Sequence, residues 1–205
     1  MTAPSLWPFG RGERADRRRL DPVFALLAAV PDLMANGLTP VGVAGVCVRR
    51  EDSPAFNNTV RDVSQTLALY SHEHDLPYEE RADDLGFLWW ISGRDDPVGF
   101  DDAVTGIHLV ADTFVERSFT QRLLAATFPM QEDGASDPFV LVYNYRRQKY
   151  YPFAPRGRSK ERDNAREMRV MGDLPRSLPG EEDVERWYAL WDAPLSAPNA
   201  KPKDP

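Results

Sequence analysis

Apolar residues return every three or four positions in several stretches of the chain, and the clearest stretches open on a residue that caps helices. Val23, Leu26, Leu27, Val30 and Met34 follow Asp21-Pro22. Asp accepts an orphan backbone N–H and Pro at the first helical position gives up no useful donor, so a helix is expected to start there. Pro31 is expected to kink or shorten it, and Gly37 to stop it. Ser53-Pro54 repeats the opening ahead of Phe56, Val60, Val63, Leu67 and Tyr70, a single apolar stripe. Asp96-Pro97 leads a third helix, with Phe100, Val104, Ile107, Ala111 and Phe114 inward and Asp101, Asp102, Asp112 and Glu116 outward. Ser118 to Phe128 continues the helical pattern through Leu123, Leu124 and Phe128, and Asp133-Gly134 breaks the chain after it.

Elsewhere the pattern is that of strands. Val41 to Arg50, with Val41, Val43, Val46 and Val48 among small residues, predicts a buried strand. Tyr78 to Ala82 and Gly86 to Ser92 flank Asp83-Asp84-Leu85 as a hairpin. Trp89 and Trp90 are adjacent, so they point to opposite faces; one fills the core and the other meets a covering helix or a partner. Phe139 to Tyr145 turns back through Arg146-Arg147-Gln148-Lys149 into Tyr150-Tyr151-Pro152-Phe153, a second hairpin. Pro152 lacks a ladder donor, so the returning strand is expected to lie at a sheet edge or to leave the sheet there. Glu182 to Trp191, with Val184, Trp187, Leu190 and Trp191 at helical spacing, predicts a closing helix over the core.

These elements sum to an α+β fold: a single domain with an antiparallel sheet of about five strands, two hairpins plus one strand, covered by helices on one face. The domain is expected over residues 21–192, between a flexible basic leader at 1–20 and a disordered tail at 193–205 that carries Pro194, Pro198, Pro202 and Pro205.

Charge changes this picture more than composition does. The chain carries −7 overall. Residues 146–169 hold nine Arg or Lys against three acids, so that segment is +6 and the rest of the chain −13. An acidic body with one basic segment points to a local anionic partner and away from nucleic acid, whose binders are usually basic throughout. A single cysteine, Cys47, excludes an internal disulfide and fits a reducing compartment. No stretch approaches the roughly 18 apolar residues that span a bilayer. The chain therefore reads as cytoplasmic. Its leader joins Leu6-Trp7-Pro8-Phe9 to Arg11, Arg14, Arg17, Arg18 and Arg19, a mixture suited to peripheral contact with anionic lipid.

Candidate chemistry is sparse. His72-Glu73-His74-Asp75 offers ligand types, but no further histidine cluster completes a metal site, and a solvated loop after a helix end is expected. Cys47 lies inside an apolar strand with no base beside it, which reads as packing. His108 has no nucleophile placed by sequence to pair with. Asp163 and Glu167 share a helical face, yet Arg162 and Arg166 beside them keep both ionised rather than raise one for acid catalysis. No phosphate-binding glycine loop, nucleophile elbow or helical zinc motif is present. No catalytic residue, metal or cofactor is therefore assigned. The basic segment instead predicts a partner-binding surface made of Tyr150, Tyr151, Phe153, Arg156, Arg158, Arg162, Asp163, Asn164 and Arg166. Its aromatics would supply contact area at small entropic cost and its arginines would grip carboxylate or phosphate.

Tyr143-Asn144-Tyr145, Tyr151-Pro152-Phe153-Ala154-Pro155 and Arg162-Asp163-Asn164 followed by Glu167 give the chain a wider likeness. It resembles the PspA-associated protein PspAB family of phage-shock-type envelope-stress systems. The resemblance extends to Gly45-Val46-Cys47, Phe56 with Arg61-Asp62-Val63, the strand from Gly86 to Trp90, and the stretch from Trp187 to Pro194. It implies context more than chemistry: association with PspA, a coiled-coil membrane-remodelling protein, and with a membrane zinc protease of the HtpX type. On that footing the expected function is a non-enzymatic adaptor that binds an acidic PspA-like partner through residues 150–166. Peripheral membrane binding and, further off, a hydrolase using His108 or the Asp163-Glu167 pair are the alternatives.

Overall fold

The computed structural model describes residues 21–157 and 160–198. The expected leader at 1–20, the capping side chain of Asp21, Arg158, and residues 199–205 of the expected tail lie outside the described residues.

The fold is α+β. Helix α1 (Asp21–Ala35) runs through Pro31 to its end, and Gly37 beyond it takes φ 76°, a left-handed conformation glycine adopts without steric penalty. Strands β1 (Leu38–Pro40) and β2 (Val43–Arg49) follow. Both pair antiparallel with β5 (Leu123–Glu132), β1 along its far half and β2 along its near half. Helix α2 (Pro54–Glu73) starts where expected, with Ser53 Oγ accepting the Phe56 N–H at 3.2 Å. The hairpin of β3 (Tyr78–Ala82) and β4 (Phe87–Gly93) leads to helix α3 (Phe100–Glu116). After β5 come β6 (Phe139–Asn144), β7 (Lys149–Phe153) and helix α4 (Asn164–Asp173).

The sheet is seven-stranded and antiparallel in the order β3-β4-β2-β5-β6-β7, with β1 also on β5. It therefore has more strands than the two hairpins and one strand expected. The extra ones are β1 and β5. The segment 118–128 was expected to be helical, and the structure corrects this. Ser118 takes φ 66° and ends α3, and β5 lies between two neighbours with most of its residues buried. A strand buried on both faces shows no alternation, so Leu123, Leu124 and Phe128 mimic helical spacing. As Pro152 requires, β7 is an edge strand.

Alternation sorts the sheet's side chains to two faces. Ala44, Val46, Val48, Trp90, Phe128, Leu141, Tyr143 and Tyr150 face α1, α2 and α3 and form the main core. Val43, Cys47, Trp89, Ile91, Val140, Val142, Tyr151 and Phe153 face the other way. Among the described residues the helices contribute only Met171 of α4 to that second face. It is covered by the C-terminal strap at 187–197, with Trp187, Leu190, Trp191, Ala193, Leu195 and Ala197 packed on it. Trp89, the tryptophan opposite the core, thus meets this strap.

The expected helix at 182–191 is corrected too: only Val184–Arg186 makes a single 3₁₀ turn. The backbone carbonyls a helix would use are taken by the sheet layer. Arg162 donates to the Trp187 carbonyl at 2.7 Å and the Tyr151 hydroxyl donates to the Tyr188 carbonyl at 3.1 Å. Arg81 holds the Asp192 carbonyl at 2.6 Å, and the Ala197 N–H donates to Asp95 at 2.7 Å. Residues 193–198, expected in the tail, continue along the sheet, with Pro194 and Pro198 buried. Gly45 makes room for this strap, because a Cβ there would lie 3.0 Å from Pro194 Cγ and 2.7 Å from Thr127 Oγ1.

Candidate functional site

The residues expected to form a partner surface divide sharply. Tyr150, Tyr151 and Phe153 are core residues, each at most 2% exposed, which removes them from any surface. Tyr150 points to the helical side and its hydroxyl donates to the Pro22 carbonyl at 2.6 Å, tying the edge strand to the start of α1. Tyr151 stacks on Trp187 at 6.5 Å, and Phe153 meets Trp191 edge-on at 5.1 Å. Their role is to seat the strap. Strand alternation alone sets which way each points, and a sequence rich in aromatics on both faces gives no sign that both faces are covered.

The charged members are mostly consumed by the fold. Glu167, 1% exposed, accepts the Ala154 N–H at 2.8 Å and a bidentate pair from Arg162, Nε at 3.0 Å and Nη2 at 2.8 Å. Arg162 also lies over the Phe153 ring at 5.5 Å while its third donor holds the Trp187 carbonyl. One guanidinium thereby joins α4, the end of β7 and the strap. Arg166 donates to Glu132 Oε2 at 2.7 Å and to the Asp137 carbonyl at 2.8 Å, and it lies over Phe139. Arg169 reaches the other Glu132 oxygen at 2.9 Å. Burial would raise the Glu132 carboxyl, but these two arginines outweigh it and hold the group below its ordinary value.

Asp163 caps α4 by accepting the Arg166 N–H at 3.0 Å. That bond, with Arg156 3.4 Å away, holds its carboxyl below the usual range. Glu167, by contrast, is buried in its ion pair with Arg162.

What remains outside is the loop 155–162. Its base is closed by the Pro155–Arg162 bridge and by the Arg156 N–H donating to the Glu161 carbonyl at 2.9 Å. Arg156, Lys160 and, just after the loop, Asn164 are exposed. Arg156 and Lys160 are thus exposed beside a base that Arg162 and Glu167 fix in place.

A second basic feature lies at the other end of β7. Five strands finish at one edge of the sheet: Arg49 pairs across from Phe87, Val48 from Leu123, Ala125 from Asn144, and Asn144 from Lys149. Between these strand ends and the strap residues Arg186 to Leu190 lies a cavity of about 1060 Å³. Arg49, Arg146, Arg147, Lys149 and Arg186 line it against one acid, Glu181. The Asn144 side chain shapes the turn by accepting the Arg146 and Arg147 N–H groups at 3.1 and 3.0 Å. Sequence reasoning read Arg146-Arg147 as turn residues and passed over Arg49, Tyr145 and Glu181, which come together only through strand register.

Among the described residues no group of His, Cys, Asp and Glu is placed to hold a metal. Burial pushes the Cys47 thiol far up, which makes it a packing residue. His108 packs on Phe24 at 4.2 Å between ring centres.

The model of the family PspA associated protein B matches residues 4–195. The chain belongs to that family. The match runs over nearly the whole PspAB chain, including most of the strap and the loop 155–162. Neither a curated protein nor a solved structure matches. The family places this PspAB chain in a role linked to the PspA system. Among the described residues no helix is long and apolar enough to cross a membrane.

Proposed function

We propose that this PspAB chain is a non-enzymatic accessory protein of a phage-shock-type envelope-stress response, acting from the cytoplasm by binding a PspA-like protein. An HtpX-type membrane protease is a further partner in the same assembly. The observation that carries the reading is the family match across residues 4–195. Charge supports it: an acidic chain concentrates its cations in 146–169, which favours encounter with an acidic partner. The docking element is the loop 155–162 with the start of α4. Arg156, Lys160 and Asn164 are exposed there, while Arg162 serves the fold.

Binding of the purified chain to the PspA-like protein of the same cell, measured at low salt, tests this. Arg156→Glu with Lys160→Glu is expected to weaken it at least tenfold and to leave the melting temperature within a few degrees. Undiminished binding by that variant removes the loop as the docking element. Absence of binding by the unaltered chain removes the adaptor reading itself.

The leader supports a second reading, direct contact with anionic lipid through Leu6-Trp7-Pro8-Phe9 and the arginines from Arg11 to Arg19. Flotation with anionic vesicles that falls with salt and disappears on removing residues 1–19 is its signature.

A further inference from the structure

We propose that the cavity at the strand ends is a binding site for a phosphate-bearing small molecule of about the size and charge of a nucleoside diphosphate. Nothing in the adaptor reading requires it. Three observations converge on that ligand.

The first is uncompensated charge. Arg49 and Arg146 have no carboxylate within ion-pair distance among the described residues, and Arg147 and Lys149 approach Glu181 only at 3.9 and 4.0 Å, beyond hydrogen-bond length. Arg186 alone is well paired, to Asp183 at 2.7 Å. Four loosely held cations around one cavity of an acidic protein repel one another unless an anion enters. Guanidinium groups suit phosphate oxygens, which they bind in pairs.

The second is a set of polar atoms awaiting a partner. Tyr145 and Glu181 both line the cavity and are each 2% exposed. The Tyr145 hydroxyl and Glu181 Oε2 have no hydrogen-bond partner among the described residues. Buried polar groups are nearly always satisfied, so an unmet donor and an unmet carboxylate oxygen at one cavity mark where a ligand's own polar groups would bond. The third is size and lining. About 1060 Å³ lies just above the usual range for small-molecule sites, and the aromatic side chains of Phe87 and Tyr188 line it with the cations. Phosphates on the arginines, a ring against the aromatics and a ligand N–H or hydroxyl on Glu181 use every feature of the cavity.

Calorimetric titration of the full chain with ADP and with pyrophosphate tests the proposal. ADP is expected to bind one to one and more tightly than pyrophosphate, because only ADP carries the ring. Arg49→Gln with Arg146→Gln should weaken ADP at least tenfold. Tyr145→Phe should weaken it several-fold while leaving the melting temperature unchanged or higher, since the lost hydroxyl bonds nothing among the described residues. Arg156→Glu with Lys160→Glu should bind ADP as the unaltered chain does, which separates this site from the partner loop. Vesicles containing phosphatidylglycerol distinguish the source of the phosphate: retention on them that ADP abolishes assigns the site to a lipid headgroup. Failure of both soluble probes and the vesicles to bind overturns the proposal, as does ADP binding that both cavity variants leave intact.

Discussion

Two arginine clusters flank strand β7, 15 to 20 residues apart in sequence, and they meet opposite fates. Arg162 and Arg166 beyond its C-terminal end are each matched by a buried or half-buried carboxylate and by a backbone carbonyl. Of Arg146 and Arg147 before its start, only Arg147 approaches a carboxylate among the described residues, Glu181 at 3.9 Å. The first cluster is mortar and the second is free to act. Counting cations along the chain treats them alike; what separates them is whether the fold brings an acid within reach. Glu132 and Glu167 come to the first cluster from β5 and α4, whereas the second faces Arg49 from β2, another cation.

The comparison breaks most visibly at Glu167. Replacing it with Ala leaves Arg162, the guanidinium that also holds the Trp187 carbonyl, without its carboxylate, and the Ala154 N–H without an acceptor. Breaking a buried ion pair from one side costs about 3–5 kcal/mol, so denaturant titration of E167A should show a loss of that order. The double variant Arg162→Met with Glu167→Met removes both charges and should recover a large part of it. An E167A loss below about 1 kcal/mol would place this cluster with ordinary surface pairs instead.

The fold was legible in the chain wherever local signals and tertiary context agree. The amphipathic helices at 54–73, capped by Ser53, and at 100–116, led by a 3₁₀ turn that Asp96 caps, follow with both hairpins from spacing and turn residues alone. Two errors share one cause. Leu123 to Phe128 and Val184 to Trp191 carry helical spacing, but their partners lie far away in sequence: β2 and β6 flank the first, and Arg162 and Tyr151 take the second's carbonyls. The partner surface was legible as charge and illegible as geometry. Tyr151 and Phe153 belong to a face that looks open until an irregular strap is known to lie on it. No period betrays a strap, because its hydrogen bonds go to other elements.

A smaller effect is expected at Glu132, where Arg166 and Arg169 divide the two oxygens. Its carboxyl is held below the ordinary value. The stabilisation is therefore present above the unfolded carboxylate pKa, about 4.3, and is lost as pH falls through the lower folded value. Glu132→Gln should cost about 1.5–3 kcal/mol at neutral pH, the range for hydrogen bonds to charged groups. It should also flatten the decline in stability on acidification. A variant whose decline below pH ~4 stays as steep as that of the unaltered chain would assign the acid sensitivity to other carboxylates, Asp163 among them.

The smallest effect tests the free cluster. Arg49→Gln with Arg146→Gln removes two exposed guanidiniums that bond no carboxylate among the described residues and that share a cavity with Arg147 and Lys149. Surface substitutions away from packed features stay within about 0.5 kcal/mol, and relief of like-charge repulsion tilts this one towards stabilisation. Unfolding free energy should thus be unchanged or slightly higher, and the gain should shrink as salt screens the remaining charges. A loss of 2 kcal/mol or more would mean that these arginines also hold the fold together and that the two clusters differ in degree only. An unchanged or rising stability, set beside the collapse of E167A, identifies the strand-end arginines as groups the protein keeps for something other than its own folding.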